Sequence, residues 1–221
     1  MTSARQIYLG SRRGPAVPYD AEVEYIESTG TQWIDTGVFG ESPSRFLIGY
    51  AFTESQDNAI LLGAVNTSQL ATKALYVAGQ YPSNQNFVRV GNQYQSYGTV
   101  PLNAIEDVEV IISTDNCVVR RGGVQVVSLS VSASQNVGTD LYAFAINRNG
   151  VDNFHSKARI SYLQIYIGGV LVRDFVSVRF TNEQGVSEGA MYDRVSGQLF
   201  RNAGTGAFGF GTDIAGGGIN V

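Results

Sequence analysis

Residues 157–178 run KARISYLQIYIGGVLVRDFVSV, and this stretch narrows the possible folds more than any other. Ile160, Tyr162 and Tyr166 alternate with Leu163, Ile165 and Ile167, so a strand here carries apolar side chains on both faces. A strand of that kind has to be covered from both sides, as a central strand of a packed sandwich is. Gly168-Gly169 supplies two residues that tolerate positive φ, which suits the primed turns that match strand twist. The return strand, Val170 to Val178, places Val172, Val176 and Val178 on one face and Arg173, Phe175 and Ser177 on the other. A long hairpin inside a sandwich is the expectation.

The remaining chain repeats the theme with shorter runs. Glu22 to Gly37 reads as strand, turn and strand. Arg45–Thr53, Ala59–Val65, Leu75–Ala78, Glu109–Ser113, Cys117–Val119, Arg120–Val127 and Leu141–Ile146 are further apolar runs. Gly63 marks a bulge or a close approach, and Gly122-Gly123 repeats the glycine hairpin. No amphipathic helical pattern persists for eleven residues with caps. Short strands separated by Gly, Asn and Ser turns predict an all-β, two-sheet antiparallel sandwich, and 221 residues suit one such domain.

Charge and cysteine content exclude several classes. Residues 1–21 hold Arg5, Arg12 and Arg13 against Asp20, whereas residues 22–221 hold 12 basic and 18 acidic side chains. A basic arm thus precedes an acidic body, which would repel a phosphate backbone, so no nucleic-acid partner is expected. The single cysteine, Cys117, cannot close an internal disulfide and reads as a small buried hydrophobe. Neither an 18-residue apolar run nor a charged-then-apolar leader occurs, so no membrane span and no secretory signal are expected.

Three pieces carry a family resemblance: EYIESTGTQWIDTG (24–37), IYIGGVLVRDFVSVR (165–179) and MYDRVSGQLFRNAGTGAF (191–208). Together they resemble the laminin-G-like, concanavalin A-like jelly rolls common in phage and gut-bacterial proteins, over residues 22–213. The resemblance implies a jelly roll whose first and last strands lie side by side. The N-terminal RQIYLGS also resembles leaders of phage virion proteins. The expected organisation is an extended docking arm (1–21) with Ile7, Tyr8, Leu9, Arg12 and Arg13 as its contact residues, the jelly roll (22–213), and a glycine-rich tail (214–221). That tail, AGGGINV at its end, would need contacts to order it, and an assembly would supply them. The expected function is a non-enzymatic virion structural protein, a capsid decoration, head-fibre or tail-associated component, bound to other virion proteins or to copies of itself. The alternative is a carbohydrate-binding module for cell-surface or dietary glycans, on a bacterial surface or secreted.

Candidate chemistry is sparse. A glycosidase on this fold needs a carboxylate acid and nucleophile on one strand face. The family's alternating Glu-x-Asp-x-Glu strand is absent; Glu22, Glu24 and Glu27, and Glu106, Asp107 and Glu109, are the nearest approaches and read as solvated strand edges. His155 is the only histidine and reads as an exposed loop residue, with no triad motif around Ser156 or Cys117. No cofactor is expected. The one metal that the residues suggest is a weak structural calcium, held by Asn147, Asn149 and Asp152 of the NRNGVDN loop. Trp33 could stack on a sugar but is expected to pack at a sheet edge. For a glycan, residues 79–97 offer the best mixture of rings and amides. Tyr94 or Tyr97 is expected to present an exposed ring, with Asn92 or Gln95 as hydrogen-bond partners.

Overall fold

The hairpin forms as anticipated, from the two longest strands among the described residues, Lys157–Ile167 and Val170–Thr181. Gly168 and Gly169 take φ of 58° and 84°, the doubly positive pair that a type I′ turn requires. A computed structural model describes residues 17–69, 73–82, 85–99, 101–131 and 136–218. The arm residues Ile7, Tyr8, Leu9, Arg12 and Arg13 therefore lie outside the described residues.

In chain order the strands are β1 (Ala21–Val23), β2 (Ile26–Thr29), β3 (Ile34–Glu41), β4 (Ser44–Phe52), β5 (Ala59–Val65), β6 (Ala74–Gln80) and β7 (Gln85–Val90). Then come β8 (Gln93–Thr99), β9 (Glu106–Ile112), β10 (Asn116–Arg121), β11 (Val124–Ser130), β12 (Asn136–Ala143), β13 (Ile146–Arg148) and β14 (Val151–Asn153). The hairpin strands are β15 and β16, followed by β17 (Ser187–Asp193), β18 (Gln198–Phe200), β19 (Gly209–Phe210) and β20 (Asp213–Gly218). Thr67–Gln69 forms a single 3₁₀ turn. No helix among the described residues is long and apolar enough to cross a membrane.

Two sheets result. The larger has the order β11-β10-β9-β4-β15-β16-β1-β20, with β2 beside β15, β17 beside β16, β18 beside β17 and β19 beside β2. The smaller runs β14-β13-β5-β6-β7-β8, with β12 on β5 and β3 on β12. Pairing is antiparallel except between β13 and β5, as a sandwich of hairpins demands. β15 is central: β4 flanks one edge from Ser44↔Ile167 to Phe52↔Ala158, while β2 and β16 share the other.

The main core lies between the sheets. Phe46, Ile48, Tyr50 and Phe52 of β4, Val108 and Val110 of β9, and Leu163, Ile165 and Phe175 of the hairpin meet Leu61, Val77, Val88, Val90 and Leu141 of the smaller sheet. Cys117 is fully buried in this core, as expected, and burial pushes its thiol up to about 12. Gly63 makes the close approach that its position suggests: a Cβ there would stand 2.9 Å from the Ile60 methyl and 3.1 Å from the Leu75 carbonyl.

The first and last described strands lie side by side, as the jelly-roll resemblance implies. β1 pairs with β20, Val23 opposite Asp213 and Ala21 opposite Gly218, and β2 pairs with β19. Arg179 fastens this seam through Asp213 at 2.8 Å and Asp20 at 3.4 Å. Within the glycine-rich stretch, the backbone through Gly218 forms a sheet edge against β1. Tyr19 is buried against Tyr192, with ring centroids 5.0 Å apart, and donates to Glu22 at 3.2 Å.

Candidate functional site

The smaller sheet carries a second apolar cluster on its outer face. Alternation separates the two: Leu75, Val77, Val88 and Val90 point into the main core, while Tyr76 and Phe87 join Ile60, Val65, Ala74 and Ile146 on the far side. Register then builds a row. Tyr76 of β6 stands opposite Arg89 of β7, and Arg89 opposite Tyr94 of β8. Side chains facing one another across adjacent strands are within contact distance, so the row forms one continuous surface. Gly79 lies opposite Phe87, and a Cβ on it would be 2.9 Å from the Phe87 ring. The glycine therefore lets the ring lie down on the sheet.

A basin of about 540 Å³ opens above this row, lined by Asn58, Ile60, Tyr76, Tyr81, Phe87, Arg89, Asn92, Tyr94, Arg148 and Phe154. That volume lies inside the range of small-molecule sites, roughly 300–1,000 Å³. Its rings are mutually braced: Phe87 and Tyr94 at 5.0 Å, Tyr76 and Phe87 at 6.1 Å, Tyr81 and Tyr94 at 6.5 Å. Tyr94 is 41% exposed, yet its hydroxyl donates to the Tyr81 carbonyl at 2.6 Å, so an open ring face is held in one orientation. Arg89 lies over the Tyr76 ring at 5.3 Å and donates to the Gly91 carbonyl at 2.8 Å. Arg148 lies over the Phe154 ring at 5.4 Å. Burial raises the Tyr76 phenol, and both guanidinium groups act against that rise.

Two of the four expected glycan residues are here. Tyr94 and Asn92 line the basin; Tyr97 and Gln95 do not. Tyr97 is only 5% exposed, and its hydroxyl meets that of Tyr50 at 2.8 Å inside the main core. Burial drives both phenols above their ordinary value. The cause is strand alternation, which puts residues three apart on opposite faces. Gln95 also alternates away from Tyr94 and its amide donates only to the Ser96 carbonyl at 3.4 Å. Reasoning from sequence missed Arg89, although it follows Phe87 by two and so shares its face. It also missed Arg148 and Phe154, which arrive on the β13–β14 hairpin with no local signal pointing to Tyr94.

The other candidates are occupied by structural contacts. Glu22 pairs with Arg194, Glu27 with Arg159, Glu106 with Arg121, and Glu109 with both Arg45 and Arg120; Asp107 accepts from the Tyr162 hydroxyl at 2.8 Å. In the NRNGVDN loop, Asn147 accepts from the Gly150 amide at 2.6 Å, and Asn149 bonds to Thr67 through both its amide nitrogen and its oxygen. Asp152 turns to His155, 2.9 Å from Nε2. The loop oxygens therefore do not converge on a cation site, and His155 is half-buried against Asp152, not freely exposed. Trp33 packs flat on Tyr142, 4.2 Å between ring centroids at 25°, at the rim of a shallower hollow of about 360 Å³ that His155 and Asp152 also line.

No protein-family model and no curated protein matches the sequence. The fold does match solved structures. One is the crystal structure, at 1.50 Å resolution, of a "putative carbohydrate binding protein" from Bacteroides ovatus ATCC 8483, with a TM-score of 0.58 and 12% sequence identity. The match covers 90% of this chain and 62% of that protein, so the chain spans less than two thirds of its neighbour's length. At that identity the likeness concerns the fold.

Proposed function

We propose that this domain is a non-hydrolytic carbohydrate-binding module and that the outer-face basin is its sugar site. The observation that carries the reading is the Tyr94 ring, locked by its bond to the Tyr81 carbonyl and braced by Phe87, with Asn58 and Asn92 at the rim. Sugar rings present a face of C–H groups that packs on an aromatic face, and their hydroxyls need planar amides as partners. Preorganised rings lose little entropy on binding, which favours a weak, exposed ligand. The carbohydrate-binding description of the neighbour with the same fold supports the reading. The absence of hydrolysis is argued from the carboxylates: Glu22, Glu27, Glu106 and Glu109 are engaged by arginines and Asp107 by Tyr162, and Glu24 accepts only from the Thr212 amide, whereas cleavage needs a pair of carboxyls, one protonated and one ionised, free to act on the sugar.

A glycan array followed by titration of the best ligand tests the site. Tyr94→Ala should weaken binding by about tenfold, the equivalent of roughly 1.4 kcal/mol for a lost stacking contact, with the thermal midpoint little changed. Binding that survives Tyr94→Ala at full strength in folded protein would remove the basin as the sugar site. Release of reducing ends from any bound polysaccharide would refute the non-hydrolytic assignment.

A further inference from the structure

The basin brings together two arginines without a carboxylate partner. Among the described residues, Arg45, Arg120, Arg121, Arg159, Arg173, Arg179 and Arg194 each have a carboxylate partner. Arg89, Arg148 and Arg201 have none; Arg201 stands alone over the Phe180 ring, whereas Arg89 contacts the Gly91 carbonyl and Tyr76, and Arg148 the Phe154 ring. Arg89 and Arg148 line the same basin, and no acidic residue lines it with them. Elsewhere the body is acidic, with 12 basic against 18 acidic residues over 22–221. Two uncompensated guanidinium groups in an aromatic hollow of an otherwise anionic domain are a locally positive site.

Arginine is the side chain suited to planar anions. Its fork of donors matches a carboxylate or sulfate group, and such charge-assisted bonds are about twice as strong as neutral ones. Each guanidinium lies over a ring, Arg89 over Tyr76 and Arg148 over Phe154, and a guanidinium has five N–H donors, more than the contacts of Arg89 with the Gly91 carbonyl and Tyr76 use. We infer that the basin selects an anionic sugar, its ring against the exposed face of Tyr94 and its carboxylate or sulfate group between Arg89 and Arg148. The inference rests on the basin being the sugar site and adds the class of sugar it takes.

The test compares matched pairs by calorimetry: trigalacturonate against galactotriose, and a sulfated disaccharide against its unsulfated parent. At least one anionic member should bind about tenfold or more tightly than its neutral parent, the worth of one charged hydrogen bond, and the difference should shrink as salt rises. Arg148→Gln should abolish the preference. Arg89→Gln should do so too, and its thermal midpoint shows whether loss of the Gly91 bond has disturbed the β7–β8 turn. Arg201→Gln, at an arginine that sits over Phe180 away from the basin, makes the same change in net charge and should leave the preference intact. Equal binding of neutral and anionic partners, lost in Tyr94→Ala, would overturn the charge inference and leave the sugar site standing. So would a preference that persists in both arginine variants. Failure of all four sugars to bind, together with an empty glycan array, would overturn the sugar site itself.

Discussion

Substituting Tyr97 separates an inward-facing from an outward-facing ring more sharply than any other change on β8. Its hydroxyl and that of Tyr50 form a single hydrogen bond of 2.8 Å with Tyr50 fully buried. Tyr97→Phe removes one partner and leaves the other without a bond, which costs about 1–3 kcal/mol. In a domain of this size that lowers the thermal midpoint by roughly 2–12 °C. Tyr50→Phe should cost a similar amount. The double variant removes both hydroxyls and leaves two well-packed rings, so it should fall within about 1 kcal/mol of the parent and expose a coupling of at least about 1 kcal/mol. Backbone support is unaffected, since Arg121 donates to the Tyr97 carbonyl and not to its hydroxyl. Denaturant unfolding followed by the fluorescence of Trp33, the only tryptophan and stacked on Tyr142, gives all four corners of the cycle. A Tyr97→Phe effect below about 0.5 kcal/mol, typical of a surface change, or strict additivity of the pair, would refute the buried hydroxyl bond and return Tyr97 to the surface.

Two further outcomes are expected. Alkaline pH should destabilise the fold: burial raises Cys117 and Tyr19 to about 12, and Tyr50 and Tyr97 above their ordinary value. Groups raised in the folded state keep their protons there while the unfolded chain releases them, so stability is fully present below about pH 8.5 and falls as pH climbs through 9 to 12. Denaturant midpoints that stay flat from pH 8 to 11 would contradict this. Gly79→Ala should cost about 1–3 kcal/mol, because its Cβ would lie 2.8 Å from the Ala59 carbonyl and 2.9 Å from the Phe87 ring; a neutral effect on the denaturant midpoint would show that Phe87 does not lie over the glycine.

Much of the fold was legible because it depends on short-period signals. The 157–178 hairpin, the Gly168-Gly169 turn and the burial of Cys117 follow from alternation and turn chemistry alone. The closure of β1 on β20 came from resemblance, not from local pattern, since Ala-Gly-Gly-Gly has low strand propensity and pairs only because β1 offers an edge. The site was half legible. Amide and aromatic content located the β7–β8 hairpin, but a period of two should have divided Tyr94 from Tyr97 at once. A bulge between Asn86 and Phe87 shifts the register beside them without altering that division. Arg148 and Phe154 were not legible at all, because the parallel pairing of Ile146–Arg148 with Gly63–Val65 is a long-range contact that no local pattern encodes.

The same β8 strand explains how an exposed site can sit on the edge of a sheet without being soft. An edge strand has unpaired backbone groups along one side and tends to fray or to recruit other chains. Here the inward and outward residues do different jobs. Tyr97 reaches into the core to Tyr50, and Arg121 crosses from the larger sheet, bound to Glu106 at 2.8 Å, to donate to the Tyr97 carbonyl at 3.3 Å. The strand is thereby clamped at the position three residues from Tyr94. On the other face, Tyr94, Arg89 and Tyr76 turn away from the main core and line the basin. The proposed binding face and the stabilising contacts thus lie on opposite faces of one strand, and this separation has a consequence for the variants above. Tyr94→Ala should impair a ligand while sparing stability, and Tyr97→Phe should do the reverse as long as β8 stays paired to β7.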